Sequence, residues 1–424
     1  MTRSIAYREV KGSVRAPASK SSMQRAIACA LLAEGESVLR SPSRSADCLA
    51  ALGVARSLGA DVVDRGDSFE IVGTEAFADR GSTAAPTRVS CGESGLCIRM
   101  FSPIAALFTR EIKLGAEGSL AKRSVGMIEA SLVELGAECA TASGFPPVLV
   151  RGPLRGGRAK VDGRMSSQFL TGLLVALPLA EGDSVLEVEG LASRGYVDLT
   201  LDTMRAFGVE AARDESFSLF RVPGSRRYRA ADFTVEGDWS GAAFLLVAAA
   251  LAAKGPPLVV TGLGALSSQP DRAILDALRS SGAAVETDAG EIKVRRNKLD
   301  AFEFDATDCP DLFPPLVALA LACDGETRIR GALRLKGKES DRAAALGEEF
   351  AALGARVELD GDLMRVFGSG WLAGGAVDSR GDHRIAMAAA IVSLFCEAPV
   401  EIAGSECVAK SWPSFFEDLS SIAR

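Results

Sequence analysis

Apolar residues fall along this chain in two kinds of run. The first kind is rich in small residues and apolar nearly all round. Each such run follows a short polar motif containing Gly or Ser, and each is followed by a turn and a short β-rich run. Six segments share this design: "SKSSMQRAIACALLAEGESVLR", "ESGLCIRMFSPIAALFTREIKL", "SSQFLTGLLVALPLAEGDSVLEV", "DWSGAAFLLVAAALAAKGPPLVV", "DCPDLFPPLVALALACDGETRIR" and "GDHRIAMAAAIVSLFCEAPVEIA". Their polar starts lie near Ser21, Ser94, Ser166, Ser240, Asp311 and Asp382, at successive spacings of 73, 72, 74, 71 and 71 residues. A repeat this regular defines the architecture before any single element does.

The second kind of run is amphipathic, with apolar residues at i, i+3/i+4 spacing. "CLAALGVARSLGA", "RSVGMIEASLVELGAE", "YVDLTLDTMRAFGVE", "DRAILDALRSSGAAVE" and "DRAAALGEEFAALGARVE" fill the intervals, and each ends at Gly-Ala or Gly-Val, a helix stop followed by a strand. The repeating unit is therefore β-α-β-α-β-β. Helices that are apolar all round belong inside, with sheets outside. Six units divide into two α/β domains of three, with the boundary near "RAADFTVEGD".

A length of 424 residues accommodates two or three cores. A net charge of −7 argues against a nucleic-acid partner or an anionic membrane surface, though not against a local basic pocket. The longest apolar runs, "AAFLLVAAALAA" and "IAMAAAIVSLF", are too short to span a bilayer. The first ten residues show no apolar h-region, so no secretory signal is expected there. Nine cysteines without a CxxC pair fit reduced thiols in the cytoplasm. His383 is the only histidine, which excludes HExxH and three-His metal sites, and no Walker A or GxGxxG motif opens a helix.

The polar starts sit where helix N-termini expose free N–H groups and a positive dipole end. As N-caps alone they would need no further explanation. Yet Lys20, Arg25, Arg99 and Arg384 recur in the same first turns, and Arg123, Lys338, Arg342 and Lys410 add to them. Cations there oppose the macrodipole, so an anion site is the better reading of the set.

In these motifs, "PASKSSMQRA", "GESGLCIRM", "SSQFLTGLL", "SRGYVDLTL", "VEGDWSGAAF", "PDLFPPL", "KESDRAAAL", "GDHRIAMA" and "AKSWPSF", the chain resembles the enolpyruvyl transferase family, and within it the 5-enolpyruvylshikimate-3-phosphate synthases. The resemblance covers essentially the whole chain. It implies the two-domain enolpyruvyl transferase fold, with residues 19–237 as the N-terminal domain, 1–18 with 238–424 as the C-terminal one and the active site in the cleft between them, and it implies transfer of the enolpyruvyl group of phosphoenolpyruvate to the 5-hydroxyl of shikimate 3-phosphate, with release of phosphate. That reaction lies in the shikimate pathway to chorismate and aromatic amino acids. A monomeric cytoplasmic enzyme without metal or organic cofactor is expected.

Matching motif by motif, the resemblance implies that Lys20, Ser21, Arg25, Ser166, Ser167, Gln168, Ser193, Tyr196, Asp311 and Lys338 bind shikimate 3-phosphate. It implies that Lys20, Gly95, Arg123, Gln168, Glu339, Arg342, His383, Arg384 and Lys410 bind phosphoenolpyruvate, with Arg99 supporting the loop. Asp311, Glu339, Lys20, Lys338 and Lys410 are the acid/base candidates. Asp311 would take the 5-hydroxyl proton, Glu339 would shuttle the proton at C3, and Lys20 or Lys410 would protonate the departing phosphate. Asp311 as a helix N-cap and Glu339 as a salt-bridged surface residue are the plainer alternatives.

The chain departs from the family pattern in places. "ESGLC" stands where "NAGTA" is usual, Ser124 where Pro usually follows Arg123, and Arg334 where Asn is common. The related UDP-N-acetylglucosamine transferases typically carry a Cys in the second-unit loop, and "GAEGSLAKRS" has none. A non-catalytic anion-binding protein would not need Asp311, Glu339 and Lys338 together. Asp382 is expected to cap its helix or orient Arg384, and His383 to line the pocket rather than act as the main base.

Overall fold

The computed structural model describes residues 1–74, 86–164, 166–288 and 290–424. The six apolar runs form helices: α1 (Lys20–Leu32), α2 (Gly95–Ala105), α3 (Gln168–Ala176), α4 (Trp239–Ala252), α5 (Phe313–Ala322) and α6 (His383–Val392). Every residue of α2, α4 and α6 is buried. That accounts for the missing polar stripe, because a helix enclosed on all sides has no face to give to water. Alanine and glycine let the helices approach closely. A methyl group at Gly172 of α3 would sit 2.6 Å from the Met100 carbonyl oxygen of α2, so only glycine fits at that contact.

The chain divides into two compact units, Lys20–Val235 and Met1–Ser19 with Glu236–Arg424. In the second of these, α4, α5 and α6 pack on one another. Truncating one leucine there, such as Leu246 to Ala, would cost about 2–5 kcal/mol.

Among the described residues, five four-stranded sheets repeat one pattern, a parallel pair extended by two antiparallel strands. In the second repeat Thr87–Ser90 runs parallel to Ile112–Gly115, which pairs antiparallel with Phe145–Arg151, and that strand with Glu138–Ala142. The repeat thus reads β-α-β-α-β-β along the chain. The five amphipathic runs form the outer helices, and the first of these, Ala46–Leu58, stops on Gly59 at φ +110°. Such a left-handed residue closes the helix and turns the chain into the next strand.

Two irregularities leave no mark in the repeat pattern. The first repeat takes its leading strand from Asp232–Thr234, parallel to Glu36–Arg40, and the fourth takes its own from Ser13–Arg15, parallel to Leu258–Thr261. The sixth repeat lacks the outer hairpin. Its sheet has three strands, closed antiparallel by Thr2–Ile5. Among the described residues no helix is long and apolar enough to cross a membrane.

Candidate active site: two clusters of charge at helix N-termini

In the Lys20–Val235 unit, α1 begins at Lys20, so Ser21 lies inside the first turn. The Lys20 ammonium lies 2.9 Å from Asp47 Oδ2, in the first turn of helix Ala46–Leu58, with both side chains largely buried. The expected conflict between this cation and the α1 dipole is thus met first by a carboxylate of the protein.

Arg25 is almost fully buried and joins three helices. Its guanidinium donates to the Ser21 carbonyl (2.8 Å), Thr200 Oγ1 (2.9 Å), the Tyr196 carbonyl (3.0 Å) and Thr171 Oγ1 (3.4 Å). Thr171 and Thr200 hydroxyls meet at 3.1 Å, tying α3 to helix Arg194–Ala206. Burial pulls the guanidinium pKa down to about 10, against the opposing pull of Tyr196 and Cys29, so it stays charged at neutral pH.

The hydroxyls expected to donate to phosphate stand at two of these N-termini. Ser166 Oγ accepts from the Gln168 N–H (3.1 Å), and Ser167 is the N-cap of α3. Ser193, the N-cap of helix Arg194–Ala206, is held at φ 60° and ψ 49°. A non-glycine residue there is uncommon and often marks a functional turn.

At α2, Ser94 caps the helix by accepting from Cys97 N–H (3.3 Å) and donates to Gln24 Oε1 (3.1 Å). A methyl at Gly95 would lie 2.9 Å from Arg99 Nη1 and 3.1 Å from Arg123 Nη1, so both guanidiniums border this first turn. Arg99 also donates to Gln168 Oε1 and to the Ser124 carbonyl, both at 2.8 Å. It therefore fixes α3 and the residue following Arg123.

The other unit holds a tighter cluster. Arg342, at the start of helix Arg342–Ala351, donates to Asp311 Oδ1 (2.8 Å), Glu339 Oε2 (2.6 Å) and Asp382 Oδ2 (2.7 Å). Asp311 also meets Arg384 Nη2 (3.1 Å) and Lys338 Nζ (3.4 Å). Asp311 does not cap α5. It lies in a 3-10 turn, Pro310–Leu312, and its carboxylate goes to the three cations. Glu339 is largely buried on Arg342 rather than a surface residue. Burial alone would raise the Asp311 carboxyl, but Arg384, Lys338 and Arg342 outweigh it and hold it well below the usual carboxylate range. Burial also pulls the Lys338 ammonium below its ordinary value, with Asp311 opposing.

Asp382 caps α6 by accepting from the Arg384 N–H (3.0 Å), but the side chains that donate to it are those of Arg342 and Ser340. Arg384 is held instead by Ser240 Oγ (2.9 Å) and Asp311. His383 is buried, its Nδ1 3.8 Å from Asp382 Oδ1. Lys410 ends the 3-10 turn Ser405–Lys410, which packs on α6.

The chain matches the family model of EPSP synthase (3-phosphoshikimate 1-carboxyvinyltransferase) over residues 6–419. The chain belongs to the EPSP synthase family. It is 38% identical to a 3-phosphoshikimate 1-carboxyvinyltransferase of Clostridium kluyveri over 420 residues, covering 99% of this chain and 96% of that protein. It is 39% identical to one of Halobacterium salinarum strain R1 over 433 residues, covering 100% and 99%. Among solved structures, an EPSP synthase from Acinetobacter baumannii superposes with a TM-score of 0.83 at 26% identity, covering 100% of this chain and 98% of that one.

Within this EPSP synthase family member, the departures from the usual pattern have definite places. Leu96 and Cys97 are buried in α2, and burial raises the Cys97 thiol well above its ordinary value, so it is inert packing. Arg334 donates to the Thr307 carbonyl (2.7 Å), tying the segment before Asp311 to the loop carrying Lys338. Sequence reading misses Asp47, Thr171 and Thr200 as partners of the cations. Asp47 has a visible signal, an acid in a helix first turn, but its pairing with Lys20 spans 27 residues and only the fold reveals it. Among the described residues no group of three or more His, Cys, Asp or Glu is placed to hold a metal ion.

Proposed function

We propose that the chain transfers the enolpyruvyl group of phosphoenolpyruvate to the 5-hydroxyl of shikimate 3-phosphate, releasing phosphate, as a shikimate-pathway step. The observation that carries the mechanism is Asp311 shared among Arg342, Arg384 and Lys338 beside Glu339. Asp311, kept ionised, accepts the 5-hydroxyl proton as the oxygen bonds to C2. Glu339 passes a proton to C3, giving a tetrahedral adduct, and is left ready to take it back. The C2–O bond to phosphate then breaks as C3 loses a proton, with Glu339 shuttling that proton and Lys20 or Lys410 protonating the departing phosphate.

Ser21, Arg25, Ser166, Ser167, Gln168, Ser193, Tyr196 and Lys338 hold shikimate 3-phosphate. Lys20, Arg123, Arg342, Arg384 and Lys410 grip the phosphoenolpyruvate anions near Gly95, with Gln168 and His383 against them. The buried Arg25 joint and the left-handed Ser193 support the first assignment, and the guanidiniums at Gly95 support the second. The enzyme acts as a monomer in the cytoplasm on small-molecule substrates.

The test is phosphate release from phosphoenolpyruvate with shikimate 3-phosphate or UDP-N-acetylglucosamine as acceptor. Release is expected only with the first, falling by about 10²–10⁴-fold in Asp311→Ala. No release with shikimate 3-phosphate overturns the substrate assignment, and undiminished release in Asp311→Ala overturns the role of that carboxylate.

A further inference from the structure

The strand pair that flanks α2 in sequence, Thr87–Ser90 and Ile112–Gly115, continues beyond its last residues as a chain of crosslinks. Cys91 N–H donates to the Gly115 carbonyl (2.9 Å) and Glu117 N–H to the Gly92 carbonyl (2.8 Å). Ser90 Oγ donates to Glu117 Oε1 (2.7 Å). The chain of bonds ends at Glu93, whose Oε2 accepts from both the Ser119 N–H (3.1 Å) and the Ser119 hydroxyl (3.0 Å). Gly118 sits directly against that carboxylate. It has φ +49°, and a methyl there would overlap the Glu93 carboxylate. Two donors on one ionised oxygen make a stronger tether than two neutral bonds.

Ser119 belongs to the short 3-10 turn Gly118–Lys122, which ends on Arg123. Arg123 N–H donates to the Leu120 carbonyl (3.0 Å), so turning that segment turns the arginine with it. Arg99 holds the far side through the Ser124 carbonyl at 2.8 Å. Arg123 is thus fixed before and after, and its guanidinium borders Gly95 at the N-terminus of α2.

We propose that Glu93, through its clasp on Ser119, is a positioning residue that aims Arg123 at the anions of phosphoenolpyruvate. This rests on the proposed reaction for the identity of the anion, though not for the clasp itself. Glu93 is on the exposed edge of the loop and a carboxylate at that spot would by charge alone repel an incoming anion. Clasp and repulsion therefore predict opposite signs for its removal, and that makes the role measurable.

The experiment compares the full-length protein with Glu93→Ala, Glu93→Gln, Ser119→Ala and the double variant Glu93→Ala/Ser119→Ala. Steady-state kinetics are measured with each substrate varied in turn, and amide hydrogen exchange of residues 117–124 is followed without substrates. Glu93→Ala should raise the KM for phosphoenolpyruvate about tenfold, corresponding to ~1.4 kcal/mol, while kcat and the KM for shikimate 3-phosphate stay within about twofold. Glu93→Gln, still able to accept, should restore most of that loss. Ser119→Ala should add nothing on the Glu93→Ala background, as one shared contact demands. Exchange of the 117–124 amides should quicken in Glu93→Ala. An unchanged or lowered KM for phosphoenolpyruvate, or unchanged exchange, overturns the proposal. If the parent protein fails to turn over phosphoenolpyruvate, the proposed reaction falls, and the exchange measurement still decides the clasp.

Discussion

Replacing Asp382 by alanine removes a buried carboxylate that accepts four hydrogen bonds. Asp382 is fully buried and accepts from the Arg384 N–H, Ser340 Oγ, and Arg342 Nε and Nη2. Loss of the cap should cost about 1 kcal/mol. Breaking a buried ion pair by removing one partner costs about 3–5 kcal/mol when the remaining charge is abandoned. Arg342 is not abandoned, because Asp311 and Glu339 still hold it at 2.8 and 2.6 Å, so that part should shrink to about 1–3 kcal/mol. Asp382→Ala should then destabilise its unit by about 2–4 kcal/mol, a large share of a typical domain's 5–15 kcal/mol.

Asp382→Asn keeps the shape and one acceptor, and should cost less than half as much. All three tryptophans, Trp239, Trp371 and Trp412, lie in the Met1–Ser19/Glu236–Arg424 unit, so intrinsic fluorescence during urea unfolding reports that unit alone. With m near 1–3 kcal/mol/M, the midpoint should fall by about 0.7–4 M. A cost under about 1 kcal/mol for Asp382→Ala would refute this division of the buried charge among three carboxylates.

Gly95→Ala should crowd Arg99 and Arg123, raising the KM for phosphoenolpyruvate at least tenfold by initial-rate assay while leaving that for shikimate 3-phosphate nearly unchanged. Arg25→Lys cannot serve acceptors on three helices with one ammonium. It should cost about 2–4 kcal/mol in far-UV unfolding and raise the KM for shikimate 3-phosphate. Burial lowers the Lys338 pKa, so the needed cation is lost as pH rises through a value below the ordinary ~10.4, and the basic limb of kcat/KM should move upward in Lys338→Arg.

The repeat, the six enclosed helices and the glycine stops of the outer helices are legible in the sequence because each is local. They depend on residue size, on a period of 3.6, or on one left-handed position. The exchanged leading strands are not legible. Asp232–Thr234 pairs with a strand nearly 200 residues earlier, and nothing within "DFT" specifies which edge it joins. The carboxylate partners are hidden for the same reason. Asp382 stands two residues from Arg384, which suggests it as that residue's orienter. Yet it grips Arg342, 40 residues away, because the first turn of a capped helix presents the aspartate to a neighbouring element. Asp311 has the look of a cap from its place before an apolar run. Prolines at 310, 314 and 315 start that helix without a side-chain cap, and its carboxylate is taken up by the cations.

The two clusters differ in their charge balance, and the difference divides the labour of the proposed reaction. Around α1 and α2, Lys20, Arg25, Arg99 and Arg123 gather with Asp47 and Glu93, so cations outnumber these carboxylates at the helix N-termini. Around Arg342, three cations meet three carboxylates, Arg342, Lys338 and Arg384 against Asp311, Glu339 and Asp382. The first cluster is suited to capturing anions. The second is already neutral, so an anion added beside it draws cationic field away from Asp311 and pushes its carboxyl back up. At rest Arg384, Lys338 and Arg342 hold the Asp311 carboxyl well below the usual carboxylate range. In the proposed reaction the substrates' phosphates and carboxylates would raise that carboxyl and make Asp311 a better base for the 5-hydroxyl proton.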